Sequence, residues 1–172
     1  MGTKINTVVI LSTAAAMLVV ATAGLTTTVF AQQNMNRFTA NLSGSNEVPP
    51  VTTAGSGIAI FQLLPVGHNQ IIDYQLNLKN MKGVTGAHIH SGKQGENGPV
   101  VAGLFNPSMS GPPTGAINGQ LTKGTLTSSD LTGPLAGKLS ISALVNMIRS
   151  GGAYVNVHTT QNQNGEVRGQ IS

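Results

Sequence analysis

Residues 72–79 alternate apolar and polar one for one. Ile72, Tyr74, Leu76 and Leu78 stand against Asp73, Gln75, Asn77 and Lys79. A period of two puts every second side chain on one face of an extended chain, and a helix cannot produce it. Phe38, Ala40 and Leu42 repeat the pattern, and residues 57–64 (GIAIFQLL) are nearly continuously apolar, as a central strand would be. Residues 84–90, 100–105, 117–126, 153–158 and 167–171 bring the candidates to about eight. Turn chemistry separates them at Pro49-Pro50, Gly67-His68-Asn69, Asn97-Gly98-Pro99, Pro112-Pro113 and Asn164-Gly165. Short strands with such punctuation predict an all-β domain, an antiparallel Greek-key sandwich or barrel.

Composition agrees. Charged residues make up 8% of the chain and aromatics 3%, with 22 Gly and no Trp, which excludes a soluble helical bundle. A hydrophobic share of 40% supplies enough apolar surface for a core and excludes a fully disordered chain. Cys is absent, so disulfides and thiolate metal sites are excluded too. The formal charge of +4 comes from single, scattered residues such as Arg37, Lys79, Lys123 and Arg149, without a basic run. Nucleic-acid binding therefore has no support. One helix is expected over residues 140–149. Ile141, Leu144, Val145 and Ile148 form a single apolar stripe, Ser140 or Ser142 serves as cap, and Gly151-Gly152 is the stop.

Residues 1–31 follow signal-peptide grammar. Lys4 gives a positive start, Val8 to Val20 (VVILSTAAAMLVV) is a predominantly apolar run, and cleavage motifs end at Ala23 and Ala31. The alternative is an uncleaved membrane anchor, since extending the run to Leu25 brings it near the shortest length that crosses a bilayer. Both place the domain outside the cytoplasmic membrane, with membrane association only if the segment is retained. Residues 32–36 are a polar lead-in to a domain over 37–172.

The candidate chemistry lies in histidines. His88 and His90 flank Ile89, so in a strand they share one face about 6.5–7 Å apart at Cα. His158 ends a strand whose Ala153, Val155 and Val157 form an apolar face and whose Tyr154, Asn156 and His158 form the opposite one. Three imidazoles from two strands suffice for Cu²⁺ or Zn²⁺; the rival reading is a polar seam in which they bond to backbone, Asn156 or Glu166. Glu166 and Arg168 share a face by alternation. They are expected to pair with each other or to flank the histidines, with Asn156 or Glu166 holding an imidazole tautomer and Arg168 attracting a small anion. The glycines of residues 91–99 lack the Gly-Lys-Ser/Thr ending of a phosphate loop.

Four stretches carry a resemblance together. They are Phe38-Thr39-Ala40-Asn41-Leu42-Ser43-Gly44-Ser45-Asn46-Glu47-Val48-Pro49-Pro50, Gly86-Ala87-His88-Ile89-His90-Ser91-Gly92 with Asn97-Gly98-Pro99-Val100-Val101, Ser150 to Thr159 (SGGAYVNVHT), and Gly165-Glu166-Val167-Arg168-Gly169-Gln170-Ile171. Taken together they resemble the CHRD (chordin-type) domain over residues 37–171. The resemblance implies an extracellular β-rich module. In animal chordins that module sits in proteins that bind secreted growth factors, while single-domain microbial members are without an assigned activity. A looser similarity links His88, His90, His158 and Arg168, in that order, to copper–zinc superoxide dismutases, which are Greek-key barrels. The chain departs from that pattern. It has no bridging His, no zinc-site set and no Cys pair, and Phe105 precedes Asn106-Pro107 where those enzymes place a His.

Two functions follow. The first is an exported, non-catalytic binding or structural module with an extracellular ligand or protein as partner, favoured by the scarcity of charged catalytic side chains. The alternative is a mononuclear copper protein, extending to a superoxide-dismutase-like redox enzyme.

Overall fold

The computed structural model describes residues 36–110, 113 and 115–172. The leader and the turn residue Pro112 lie outside them. Eight strands form where the alternation places them: β1 (Arg37–Ser43), β2 (Ser56–Val66), β3 (Asn69–Lys82), β4 (Val84–Ser91), β5 (Val100–Phe105), β6 (Ala116–Leu126), β7 (Ala153–Thr159) and β8 (Val167–Gln170). They make one sheet in the order β5-β4-β7-β8-β1-β2-β3-β6, with every pairing antiparallel. β1, β2 and β3 are a meander, whereas β4 and β7 meet only through long crossovers, the Greek-key element of the topology.

The sheet curls until its edges nearly meet. Across the seam the Tyr74 hydroxyl on β3 donates to the Leu104 carbonyl on β5 at 2.8 Å. The chain after β6 then covers the β5 edge, with the Thr132 amide on the Val101 carbonyl at 2.8 Å and a bridge between Ala102 and Leu131. An edge so occupied cannot pair with another chain. The C-terminal Ser172 closes the other junction by exchanging two backbone hydrogen bonds with Thr39 on β1.

The alternation determines the core. Phe38, Ala40 and Leu42 on β1, Phe61 and Leu63 on β2, and Ile72, Leu76 and Leu78 on β3 all point inward and are buried. Ala87 and Ile89 do the same on β4, and Val155 and Val157 on β7. A four-residue turn of helix, α1 (Pro107–Ser110), follows β5. The longer helix α2 (Ser142–Arg149) lays Leu144, Val145 and Ile148 on the barrel. It starts two residues later than the sequence suggests. Ile141 is the cap residue, and Ser140 Oγ accepts from the Ser142 amide at 3.2 Å, so the serine still satisfies a free helix donor. No helix among the described residues is long and apolar enough to cross a membrane.

β7 departs from a simple in–out strand, because both of its faces are buried. Tyr154 is 2% and Asn156 4% exposed, although they point away from the core. The covering segments are residues 92–99 and 161–166 and the turn around Glu47, which fold down over the outer faces of β4, β7 and β8. This covered patch outside the barrel is where the histidines lie.

Candidate functional site

Register builds the cluster. On β4 and β7, Gly86 faces His158, His88 faces Asn156 and His90 faces Tyr154. Residues 86, 88 and 90 share one face of β4, so His158 stands beside a glycine and diagonal to His88. A Cβ on Gly86 would lie 3.1 Å from His88 Cε1, so the glycine leaves the rings room to converge. The ring centroids are 5.1 Å apart for His88–His158, 6.0 Å for His88–His90 and 6.1 Å for His90–His158.

Each histidine offers one nitrogen, and these three atoms lie within 4.8 Å of one another. Three nitrogens bound to one ion at about 2.0–2.1 Å lie about 3.3–3.6 Å apart, so the rings must draw together by up to about 1.5 Å to close the set. Hydrogen bonding identifies the free nitrogens. His90 Nδ1 meets the Gly98 carbonyl and His158 Nδ1 meets the Gln163 carbonyl, each at 2.9 Å. A carbonyl only accepts, so both Nδ1 atoms carry the proton and both Nε2 atoms keep a lone pair. His88 Nδ1, His90 Nε2 and His158 Nε2 are buried and without a hydrogen-bond partner. Buried polar atoms are normally satisfied, so three orphans in one cluster require an explanation.

The electrostatics favour the neutral form of His88 and His90. Burial, together with the neighbouring His158 and His90, lowers the pKa of His88 from 6.5 to about 4. Burial also lowers that of His90, against the Gly98 hydrogen bond, which acts to raise it. Neutral imidazole is the form that ligates a metal. A cleft of about 450 Å³ runs from the β5–β6 seam to His88, past Tyr74, Gly103, Phe105, Lys123 and Asp130. Of the three histidines, it is His88 that lines it.

The supporting residues behave differently from the sequence expectation. Asn156 donates to both oxygens of Glu47, at 3.0 and 2.9 Å, and to no imidazole. Glu166 accepts from the Thr53 and Thr159 hydroxyls at 2.7 Å each, facing away from the histidines. Glu166 and Arg168 form no ion pair with each other: Arg168 donates to Asn97 Oδ1 and to the Lys93 and Glu96 carbonyls. The tautomers of His90 and His158 are held by loop carbonyls instead of by Asn156 or Glu166. The reason is covalent geometry. Side chains paired across a strand point outward side by side, whereas a loop folding over them presents its carbonyls end-on.

Sequence reasoning also missed Glu47. It is buried beside Asn156 and Gly165, and burial raises its pKa from 4.5 to about 7 against the opposing pull of Arg168 and Asn156. Its scarcity was the available signal, as one of five acids in the chain. The glycine-bearing loop of residues 91–99 acts as a cover. Gly98 packs its α-carbon against the Ser91 carbonyl, where a Cβ has no space, and its own carbonyl reaches His90.

No curated protein matches the chain. The CHRD domain matches residues 38–171, from β1 through β8 and including all three histidines of the cluster. The chain therefore belongs to the CHRD domain family.

Proposed function

We propose that the protein is an exported metal-binding module in which His88, His90 and His158 hold one copper ion. Two observations carry this reading: the three histidines bring one ligand nitrogen each within 4.8 Å of one another, and the same cluster holds three buried imidazole nitrogens without a partner. A polar seam accounts for His90 Nδ1 and His158 Nδ1, which pair with backbone carbonyls; a shared cation would satisfy the nitrogens that this pairing leaves over. The all-nitrogen set favours Cu²⁺ over Zn²⁺ by the general affinity order. Bound there, the ion would supply Lewis-acidic chemistry beside the cleft that His88 lines. The chain itself orients His90 through Gly98 and His158 through Gln163, and burial favours the neutral form of His88 and His90. The reading is binding without catalysis, because the Arg168 guanidinium is engaged by the covering loop and does not support anion recruitment. Export is supported by the signal-peptide grammar of residues 1–31.

Calorimetric titration of the purified protein tests it. One Cu²⁺ should bind per chain, and the His88→Ala/His90→Ala variant should bind more than about 100-fold more weakly, a loss of at least about 2.7 kcal/mol. Equal, weak binding by both proteins would overturn the metal reading.

A further inference from the structure

Arg168 is 2% exposed, and a guanidinium so deep needs every nearby acceptor it can reach. Its acceptors come from a single loop, the one joining β4 to β5. Nη1 donates to Asn97 Oδ1 at 3.1 Å, and Nη2 to the Lys93 carbonyl at 3.1 Å and the Glu96 carbonyl at 2.6 Å. Its Cζ stands 3.4 Å from the centroid of the Tyr154 ring. The His90 ring stacks on Tyr154 as well, at 5.0 Å and 13° from parallel. β7 lies between β4 and β8, so His90 and Arg168 occupy opposite flanks of Tyr154. The result is a three-layer stack of guanidinium, phenol and imidazole. The clasped loop then closes on two of its layers through one residue. The Gly98 carbonyl accepts from His90 Nδ1 at 2.9 Å, and the Gly98 amide donates to the Tyr154 hydroxyl at 3.2 Å.

We infer that Arg168 and Tyr154 are positioning residues for His90: together they hold the Gly98 carbonyl and the stacking surface that leave His90 Nε2 as the free nitrogen. The consequence for copper rests on the reading proposed above; the tautomer of the metal-free protein does not. The planar fork of Arg168 reaches two carbonyls and an amide oxygen at once while lying flat on a ring. Lysine keeps the charge but can match neither geometry.

The test reads the His90 tautomer by ¹⁵N NMR in the metal-free protein and copper affinity by calorimetry. His90 should be protonated on Nδ1 in the wild type and populate both tautomers in Arg168→Lys. Copper affinity should fall about 10–100-fold in that variant, the usual cost of losing a group that orients a ligand. In a His90→Ala background, Arg168→Lys should cost nothing further, because its effect passes through His90. Tyr154→Phe keeps the ring and removes only the acceptor for Gly98, so it should mix the tautomers to a smaller degree; it carries the test if Arg168→Lys does not fold. A His90 that stays Nδ1-protonated in the variants would overturn the inference, as would an equal copper loss from Arg168→Lys with and without His90. A wild type that binds no copper but shows the expected tautomers would sink the copper reading and leave the positioning role standing.

Discussion

Phe61→Ala should lower the free energy of unfolding by about 3–5 kcal/mol, measured by urea denaturation. Phe61 is 0% exposed at the middle of β2, where it pairs with Phe38 on β1 and Tyr74 on β3. Removing the ring forfeits its transfer free energy and leaves a cavity between strands whose backbones are tied on both sides and cannot close in. The loss is large against a total of about 5–15 kcal/mol for a typical domain, and this chain has no disulfide to restrict its unfolded state. Copper should restore part of it. A ligand that binds only the folded state adds about 2.7 kcal/mol at 100 times its dissociation constant. A Val66→Ala control, at a side chain 52% exposed near the end of β2, should cost under about 0.5 kcal/mol. If Phe61→Ala cost no more than this control, the barrel interior would be assigned wrongly.

The second large effect is partly hidden by a cancellation. His88 has a folded-state pKa of about 4 against 6.5, so between these values the unfolded chain binds the extra proton and stability rises with pH. His90, also lowered, acts in the same direction. Glu47 has a folded-state pKa of about 7 against 4.5, so there the folded chain binds the extra proton and stability falls as pH rises. At about 1.4 kcal/mol per pH unit, His88 and Glu47 each contribute at most about 3.4 kcal/mol. Over pH 4.5–6.5 the Glu47 slope opposes that of the histidines, and the wild type should show a shallower rise with pH than the histidines alone would give. Glu47→Gln removes one side of the balance. Its stability should exceed that of the wild type above pH 7, match it below pH 4.5, and climb steadily between pH 4 and 6.5. The amide also gives the unpartnered Asn156 Oδ1 a donor. His88→Gln should show the opposite slope, losing stability from pH 4.5 to 7. Urea denaturation at half-unit pH steps checks both, and parallel profiles for all three proteins would refute the assignment. The low pKa of His88 also bears on metal release. Competition by protons at this ligand should begin near pH 4 instead of near the 6.5 of an unperturbed imidazole.

The strands were legible because their information is local. The alternation of Ile72, Tyr74, Leu76 and Leu78 needs no knowledge of the rest of the chain to select a face, and the same holds for His88 and His90 around Ile89. The stripe of Ile141, Leu144, Val145 and Ile148 located the helix to within two residues for the same reason. Convergence of His158 with the other two was readable as an expectation, since its alternation put it opposite the apolar face of β7. That β7 lies beside β4 was not readable, because the pairing joins segments far apart in the chain, with β5, β6 and α2 between them.

The roles of the polar residues were decided by tertiary structure alone. Alternation placed Asn156, Glu166 and Arg168 near the histidines, and from that distance any of them could have held an imidazole. The partners depended on which loops descend on the outer face of β7, and loop paths have no periodic signature. The carbonyls of Gly98 and Gln163 took that part because backbone acceptors are present at every residue and leave no mark in the amino-acid pattern. Glu47 and Arg168 became buried by the same closure. By itself the sequence determined the strands, the helix, the faces and the family. The fold decided which nitrogens stay free, because hydrogen-bond partners are chosen by three-dimensional proximity and not by spacing along the chain.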